Sequence, residues 1–128
     1  MESIGLGLGR LLMSVIFILS GFGKLMHFSQ TASMMAGKGI PLATVALVLT
    51  IAIELGGGLL LITGYKVRYV AIVMALWMVP VTLTFHNFWA YQGDAREMQM
   101  VNFLKNLGIM GGLLVAAFSS RASTKNAR

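Results

Sequence analysis

One stretch of the chain carries no charged residue over a length sufficient to cross a bilayer. Residues 69–93 contain no Asp, Glu, Lys or Arg, and from Tyr69 to Phe85 the stretch is apolar on every helical face. A membrane-spanning helix needs about 20 predominantly apolar residues, whereas a soluble surface helix keeps one face polar. The stretch therefore predicts a helix surrounded by lipid or by other helices.

The composition of the whole chain excludes most soluble folds. Its 128 residues are 57% hydrophobic and 11% charged, against roughly 25% charged residues in an average globular domain. A soluble domain of this size is mostly surface, and so few charges do not cover it. So much apolar surface also excludes an unfolded chain. We expect a small polytopic membrane protein.

Three further stretches reach the length of a span only by enclosing charged residues. Backbone polar groups in a bilayer must be satisfied internally, which favours helices. The chain is therefore predicted to be all-α, a four-helix transmembrane bundle over residues 1–118 with a polar cytoplasmic tail at 119–128. The predicted spans cover about residues 4–25, 41–63, 67–89 and 100–118, with a polar turn at 92–97 before the last of them.

Basic residues give the predicted orientation of the chain in the membrane. Lys and Arg collect on the cytoplasmic side of membrane proteins, and six basic residues on one side outnumber four on the other. The larger group lies near the N-terminus, in the connection between the second and third spans, and in the tail. Both termini are therefore expected in the cytoplasm.

Charged side chains inside spans are expected to turn away from lipid, because one at mid-bilayer costs about 2.5–3.5 kcal/mol. Arg10, Ser14, Phe17, Gly21 and Lys24 recur at helical spacing on one stripe of the first span. Lys24 lies at the end of this stripe, where an interfacial anchor is expected.

Glu54 is the acidic residue of the second span. At ~1.5 Å per residue, Arg10 and Glu54 lie about 9 Å and 13 Å inside the cytoplasmic ends of their helices. An Arg10–Glu54 ion pair follows as the prediction, with a structural role or a proton relay as alternatives.

A second polar group is predicted near the opposite end of the spans. Asn102, Lys105 and Asn106 share one face of the fourth span, and His86 and Trp89 lie at the end of the third. Amide, ammonium and imidazole groups donate hydrogen bonds to polar head groups, and an aromatic ring flanks them. These five residues form the predicted ligand site, although His86 beside aromatic residues also fits a membrane-interface belt.

Several kinds of chemistry are excluded or unsupported. The chain has no cysteine, so it supplies no thiol redox chemistry, zinc thiolate or iron–sulfur ligation. Its two histidines lie far apart in sequence, and no metal site is expected. Its basic residues form no run with interleaved aromatics, so no nucleic-acid binding is expected despite a net charge of +6.

The chain resembles the DoxX family of small bacterial membrane proteins. The resemblance covers nearly the whole chain except the tail. It rests on Gly9-Arg10, Ser20-Gly21-Phe22-Gly23-Lys24-Leu25, Glu54-Leu55-Gly56-Gly57-Gly58, Phe85-His86-Asn87-Phe88-Trp89, Asn102-Phe103-Leu104-Lys105-Asn106-Leu107 and Gly111-Gly112-Leu113-Leu114. It implies a four-helix inner-membrane protein associated with quinone-linked oxidoreductases, although a shared fold alone does not carry an activity.

Three functions remain open at this point. The leading hypothesis is a non-catalytic redox or respiratory accessory subunit that has no intrinsic cofactor, binds a quinone or similar lipid-soluble ligand, and works with a redox partner or as a homo-oligomer. The second is a scaffold in which buried charges fix helix packing. The third is a small proton-coupled transporter that uses Glu54. Arg10 and Lys105 argue against it, because they would repel a cation.

Overall fold

A computed structural model describes the backbone of residues 1–126 and the side chains of residue 1 and residues 3–119. The regular structure of this part of the chain is helical, without a strand. Four stretches are long and apolar enough to cross a membrane, which confirms the all-α polytopic fold. They are Ser3–Met26, Ala43–Thr63, Val67–Ala90 and Gly93–Ser119. Two compact units, Met1–Tyr65 and Lys66–Arg128, contain two spans each.

The first unit begins with two helices and ends with a span built from three pieces. The helices are α1 (Glu2–Met26) and α2 (Phe28–Gly37). The second span consists of α3 (Ala43–Ile51), a π-helical turn (Ala52–Gly56) and α4 (Gly57–Thr63). A π-turn inside an α-helix often accompanies a functional site, and this one carries Glu54.

Glycines bring α1 and the second span into close contact. A Cβ atom on Gly21 would lie 2.8 Å from Leu55 Cγ, and one on Gly58 would lie 2.8 Å from Ile18 Cγ1. Both distances are shorter than side chains tolerate, so only glycine permits this approach. Ile18 meets Gly58, whereas Gly21, later on α1, meets Leu55, earlier on the second span. The two helices therefore run antiparallel.

The connection between the first two spans is more ordered than the sequence indicates. α2 occupies a segment that lies between the predicted spans, and Met35 on it is buried. His27 separates α1 from α2 with a backbone angle φ of −119°. The short segment between His27 and Gly37 has no membrane-length apolar pattern, so the sequence predicts a connection there.

The second unit is a helical hairpin of α5 (Val67–Phe85) and α6 (Gly93–Asn126), joined through a 3₁₀ turn at Phe88–Ala90. α6 begins seven residues before the predicted start of the fourth span, because residues 93–97 of the predicted polar turn belong to the start of the helix instead of a separate loop. Asp94 lies in that first turn, where a carboxylate interacts favourably with the helix dipole.

α6 extends well beyond its apolar part. Its backbone stays helical through Asn126, so most of the predicted tail 119–128 continues the helix. Residues 127–128 and the side chains of 120–126 lie outside the described part of the chain. Small and apolar side chains such as Ala71, Met74, Leu113 and Ala117 are buried in this unit.

Candidate functional site

The first unit contains a hydrogen-bonded group of three side chains, in which two part-buried residues surround a buried carboxylate. Glu54 is 4% exposed, and Lys24 Nζ donates to both of its oxygens, at 3.1 Å to Oε1 and 3.2 Å to Oε2. The Ser20 hydroxyl donates to Glu54 Oε1 at 3.2 Å and accepts from Lys24 Nζ at 2.6 Å. All three ammonium protons of Lys24 therefore have acceptors inside the unit.

The predicted Arg10–Glu54 ion pair is wrong, because Glu54 pairs with Lys24 instead. Side chains on a helix lean toward its N-terminus. On antiparallel helices, Arg10 therefore leans toward the end where α4 finishes, while Glu54 leans in the opposite direction, toward Lys24. Depth along the helix axis alone misses this directional effect.

Arg10 has a different partner. Its Nε atom donates to the carbonyl oxygen of Leu61 at 3.1 Å, in the last turn of α4. Its Nη2 atom lies 3.2 Å from where a Cβ on Gly64 would stand, and Gly64 ends the helix with φ +77°. A guanidinium at a helix C-terminus bonds free carbonyls and opposes the negative end of the dipole.

The predicted stripe on α1 faces the packed side of the unit. Ser14 and Phe17 on it are buried, and the Ser14 hydroxyl donates to the backbone oxygen of Arg10 at 2.6 Å. Ser20 is a polar contact that the stripe did not include. The sequence does indicate this contact, because Ser20 lies four residues before Lys24 and residues four apart share a helix face.

In the second unit, the structure separates the predicted ligand residues into two groups. Two of them have partners between α5 and α6. Asn106 Nδ2 donates to Thr82 Oγ1 at 3.0 Å, and His86 Nδ1 lies 2.8 Å from Gln99 Oε1. The sequence does not single out Gln99 as a partner of His86, because Gln99 precedes the predicted start of the fourth span. It nevertheless lies seven residues before Asn106, on the same helix face.

Asn102 and Lys105 line a groove along α6 instead. The residues that line it all belong to α6, so the groove is shallow and open on the helix surface, with a volume of about 690 Å³. Asp94 and Glu97 lie toward the start of the helix, and Met98 and Val101 contribute apolar surface. Lys105 is exposed, and among the described residues none forms a hydrogen bond or ion pair with it. About 18 Å of helix separate it from Gly93 at ~1.5 Å per residue.

Aromatic rings cluster where the 3₁₀ turn meets α6. Phe88 packs edge-to-face on Trp89 and on Phe103, each at a centroid distance of 5.3 Å. Arg96 lies over the Phe88 ring at 5.9 Å. Trp89 remains 54% exposed, a position that fits the membrane–water interface as well as a ligand.

The described residues contain no group of three or more His, Cys, Asp or Glu side chains arranged to hold a metal ion. Within the same residues, Asn87 Oδ1 is a buried polar atom with no hydrogen-bond partner. It lies directly after His86 and before the aromatic cluster, so it belongs to the same end of the hairpin as Trp89.

Comparison with known proteins decides the family. The DoxX family model matches residues 5–87, which run from the first turns of α1 past the end of α5. The chain belongs to the DoxX family. The match includes Lys24, Glu54 and His86 of this DoxX protein, whereas Lys105 lies after it.

Two relatives of this DoxX protein are inner membrane proteins of Escherichia coli (strain K12). Inner membrane protein YphA is 30% identical over 112 residues, covering 88% of this chain and 80% of the relative. Inner membrane protein YqjF is 32% identical over 119 residues, covering 93% and 86%. Together with the four apolar helices, these relatives identify this DoxX chain as a multi-pass membrane protein.

A more distant similarity is to the ER-derived vesicles protein ERV29 of Saccharomyces cerevisiae, 30% identical over 66 residues. That alignment covers 52% of this chain but 21% of the yeast protein. No solved structure matches the chain.

Proposed function

We propose that this DoxX protein is a membrane accessory subunit that binds a quinone or a similar carbonyl-bearing, lipid-soluble ligand in the α6 groove. The observation that carries the proposal is Lys105, a cation within a membrane-spanning helix whose ammonium group has no partner among the described residues. An ammonium group in hydrocarbon costs about 2.5–3.5 kcal/mol even on the insertion scale. A ligand carbonyl oxygen that accepts its hydrogen bond offsets part of that cost.

The groove offers the groups that such a head group needs. Lys105 and Asn102 supply hydrogen-bond donors, and Met98, Val101 and Leu104 supply apolar contact. Since the donors point outward from α6, a ligand dissolved in the bilayer reaches them without opening the helical hairpin. Ligand sites of this kind are mostly apolar with a small number of placed polar groups.

His86 and Asn106 take a supporting role in this proposal. Their polar atoms already bond Gln99 and Thr82, so they hold α5 and α6 together beneath the groove. Trp89 lies with Phe88 and Phe103 at the same end of the hairpin, where an aromatic surface guides a ring from the interface.

Redox use of the site requires a partner. Converting a quinone to a quinol takes two electrons and two protons, and the cysteine-free chain supplies no thiol or iron–sulfur electron carrier. The electrons would come from a partner oxidoreductase. Asp94 and Glu97, at the polar start of α6, would exchange protons with water. With both termini in the cytoplasm, as the basic residues favour, this start faces the opposite side of the membrane.

A scaffold function is the second candidate, and the group formed by Ser20, Lys24 and Glu54 favours it. Lys24 donates to both Glu54 oxygens and to Ser20. This closed arrangement fixes the packing of α1 on the second span without any ligand. It also disfavours the transporter hypothesis, because a carboxylate that is already bonded to an ammonium group offers no free site to a transported cation.

Quinone content of the purified protein tests the proposal. Wild-type protein extracted in mild detergent should carry quinone near one equivalent per chain, above the level of the surrounding lipid. Lys105→Met removes the donors while keeping side-chain length, and it should lower that content several-fold. Lys38→Met, a lysine outside the groove, serves as the matched control and should leave it unchanged. Equal quinone content in all three proteins would contradict the proposal.

A further inference from the structure

The Arg10 side chain has hydrogen-bonding capacity that the first unit does not use. Its Nε atom is held by the Leu61 carbonyl oxygen. Among the described residues, no acceptor bonds its Nη1 or Nη2 atoms. Because the bond from Nε fixes the plane of the guanidinium, the edge formed by Nη1 and Nη2 points in a defined direction.

Glycines leave space around that free edge. Nη2 lies 3.2 Å from a Cβ built on Gly64 and 4.0 Å from one built on Gly7. Nothing lies within 4 Å of a Cβ on Gly5 or Gly9. Gly7 and Gly64 therefore flank Nη2 without side chains, and the surface that they leave open beside it is a shallow slot.

Among the described side chains, no carboxylate forms an ion pair with Arg10. Glu54 is bonded to Lys24, nearer the opposite end of the helix pair. Glu2, whose side chain lies outside the described residues, precedes Arg10 by eight residues, or about 12 Å of helix. Arg10 lies about 9 Å inside the end of its helix, but its side chain leans toward the N-terminus of α1 and so brings the guanidinium toward the level of the lipid phosphates. The planar fork of a guanidinium matches two phosphate oxygens.

We propose that Arg10 is the anchor of a phosphate-binding site in the slot between Gly7 and Gly64. Two Nη donors hold two oxygens of a phosphate group, while Nε stays on Leu61. The phosphate belongs either to a phospholipid head group or to a free phosphate in the aqueous phase. The site lies in the first unit and does not depend on ligand binding at α6.

Substitutions at glycine separate this site from general electrostatics. Gly7→Leu fills the slot while retaining the Arg10 charge, and it favours the helix because Gly is a weaker helix former than Leu. Gly9→Leu is the matched control, since a side chain there meets open space. Arg10→Lys keeps the charge but loses the fork, and far-ultraviolet circular dichroism checks that each variant stays helical.

The experiment measures binding to the full-length protein in detergent by native mass spectrometry. Its arms are phosphatidylglycerol, diacylglycerol with the same acyl chains, and inorganic phosphate. Phosphatidylglycerol should bind more tightly than diacylglycerol. Gly7→Leu and Arg10→Lys should each weaken binding about ten- to a hundredfold, the value of a charge-assisted hydrogen bond, and Gly9→Leu should leave it unchanged.

The arms also identify the source of the phosphate. Inorganic phosphate that binds as tightly as the lipid, with the same dependence on Arg10, supports a free-phosphate site. Phosphatidylglycerol that binds much more tightly supports a head-group site. Diacylglycerol binding as tightly as phosphatidylglycerol, or unchanged phosphate binding in Gly7→Leu and Arg10→Lys, would overturn the proposal.

Discussion

Replacing Lys24 by Met leaves the Glu54 carboxylate inside the membrane with Ser20 as its remaining described partner. The Glu54 side chain is 6% exposed and that of Lys24 is 29% exposed. Removing one member of a buried ion pair destabilises a protein by about 3–5 kcal/mol, because the other charge stays buried and unpaired. Since Lys24 retains some exposure, we expect the lower end of that range, about 3 kcal/mol.

Removing the other member of the ion pair should cost less stability. In Glu54→Gln the amide still accepts a hydrogen bond, and Lys24 lies near the end of α1, where its ammonium group can turn toward the head groups. We expect a loss of about 1–2 kcal/mol. The double variant contains no buried charge at this point and should lose no more than Lys24→Met alone. The resulting coupling free energy is at least about 1–2 kcal/mol.

The assay must report on the first unit. Both tryptophans, Trp77 and Trp89, lie in the second unit, so the first unit has no tryptophan of its own to serve as a fluorescent probe. Reversible denaturation in mixed micelles, followed by far-ultraviolet circular dichroism, measures the loss of helix in the wild type, both single variants and the double variant. Strictly additive losses would show that Lys24 and Glu54 do not interact in the folded protein, which would refute the reasoning.

Two further predictions concern packing and hydrogen bonding. Gly58→Ala should destabilise the protein by about 1–3 kcal/mol, because its Cβ would press against Ile18, whereas Gly56→Ala meets open space and should be neutral or slightly stabilising. Denaturation midpoints of the two variants measure the difference, and equal midpoints would contradict the close approach. Thr82→Val should cost about 1 kcal/mol by leaving the Asn106 amide without its acceptor. Adding Asn106→Leu should recover part of that loss in the same assay, and fully additive losses would argue against the hydrogen bond.

The sequence predicted the spans well because lipid imposes a strong length and composition requirement. Residues 69–93 and the three charge-containing stretches each correspond to a membrane-length helix. The stripe on α1 was also informative, since Ser14 and Phe17 face the packed side. Helical spacing determines which side chains share a face, and that depends only on local geometry.

Pairing between helices was harder to predict. Depth along the helices predicts Arg10 as the partner of Glu54, yet the lean of side chains along antiparallel helices brings Glu54 to Lys24. The start of α6 was placed too late because polar residues such as Asp94 stabilise a helix N-terminus as readily as they form a turn. As a result Gln99, the partner of His86, fell outside the predicted span.

The sequence predicts which polar residues α6 carries, but not how the fold groups them. Asn102, Lys105 and Asn106 lie within five positions, and a helical wheel places them on one broad face. In the folded hairpin, α5 covers the Asn106 side of that face and leaves Lys105 exposed. Which half of a broad polar face is covered depends on the neighbouring helix, and one helix alone does not specify it.

Photo-crosslinking with an azidoquinone tests ligand binding at the α6 groove most directly. The full-length protein in lipid is illuminated with the probe, digested and mapped by mass spectrometry. We predict labelling concentrated between Asp94 and Lys105, suppressed by excess unlabelled quinone and reduced in Lys105→Met but not in Lys38→Met. Labelling spread evenly over the lipid-facing helices, or unaffected by competitor and by loss of Lys105, would contradict the account.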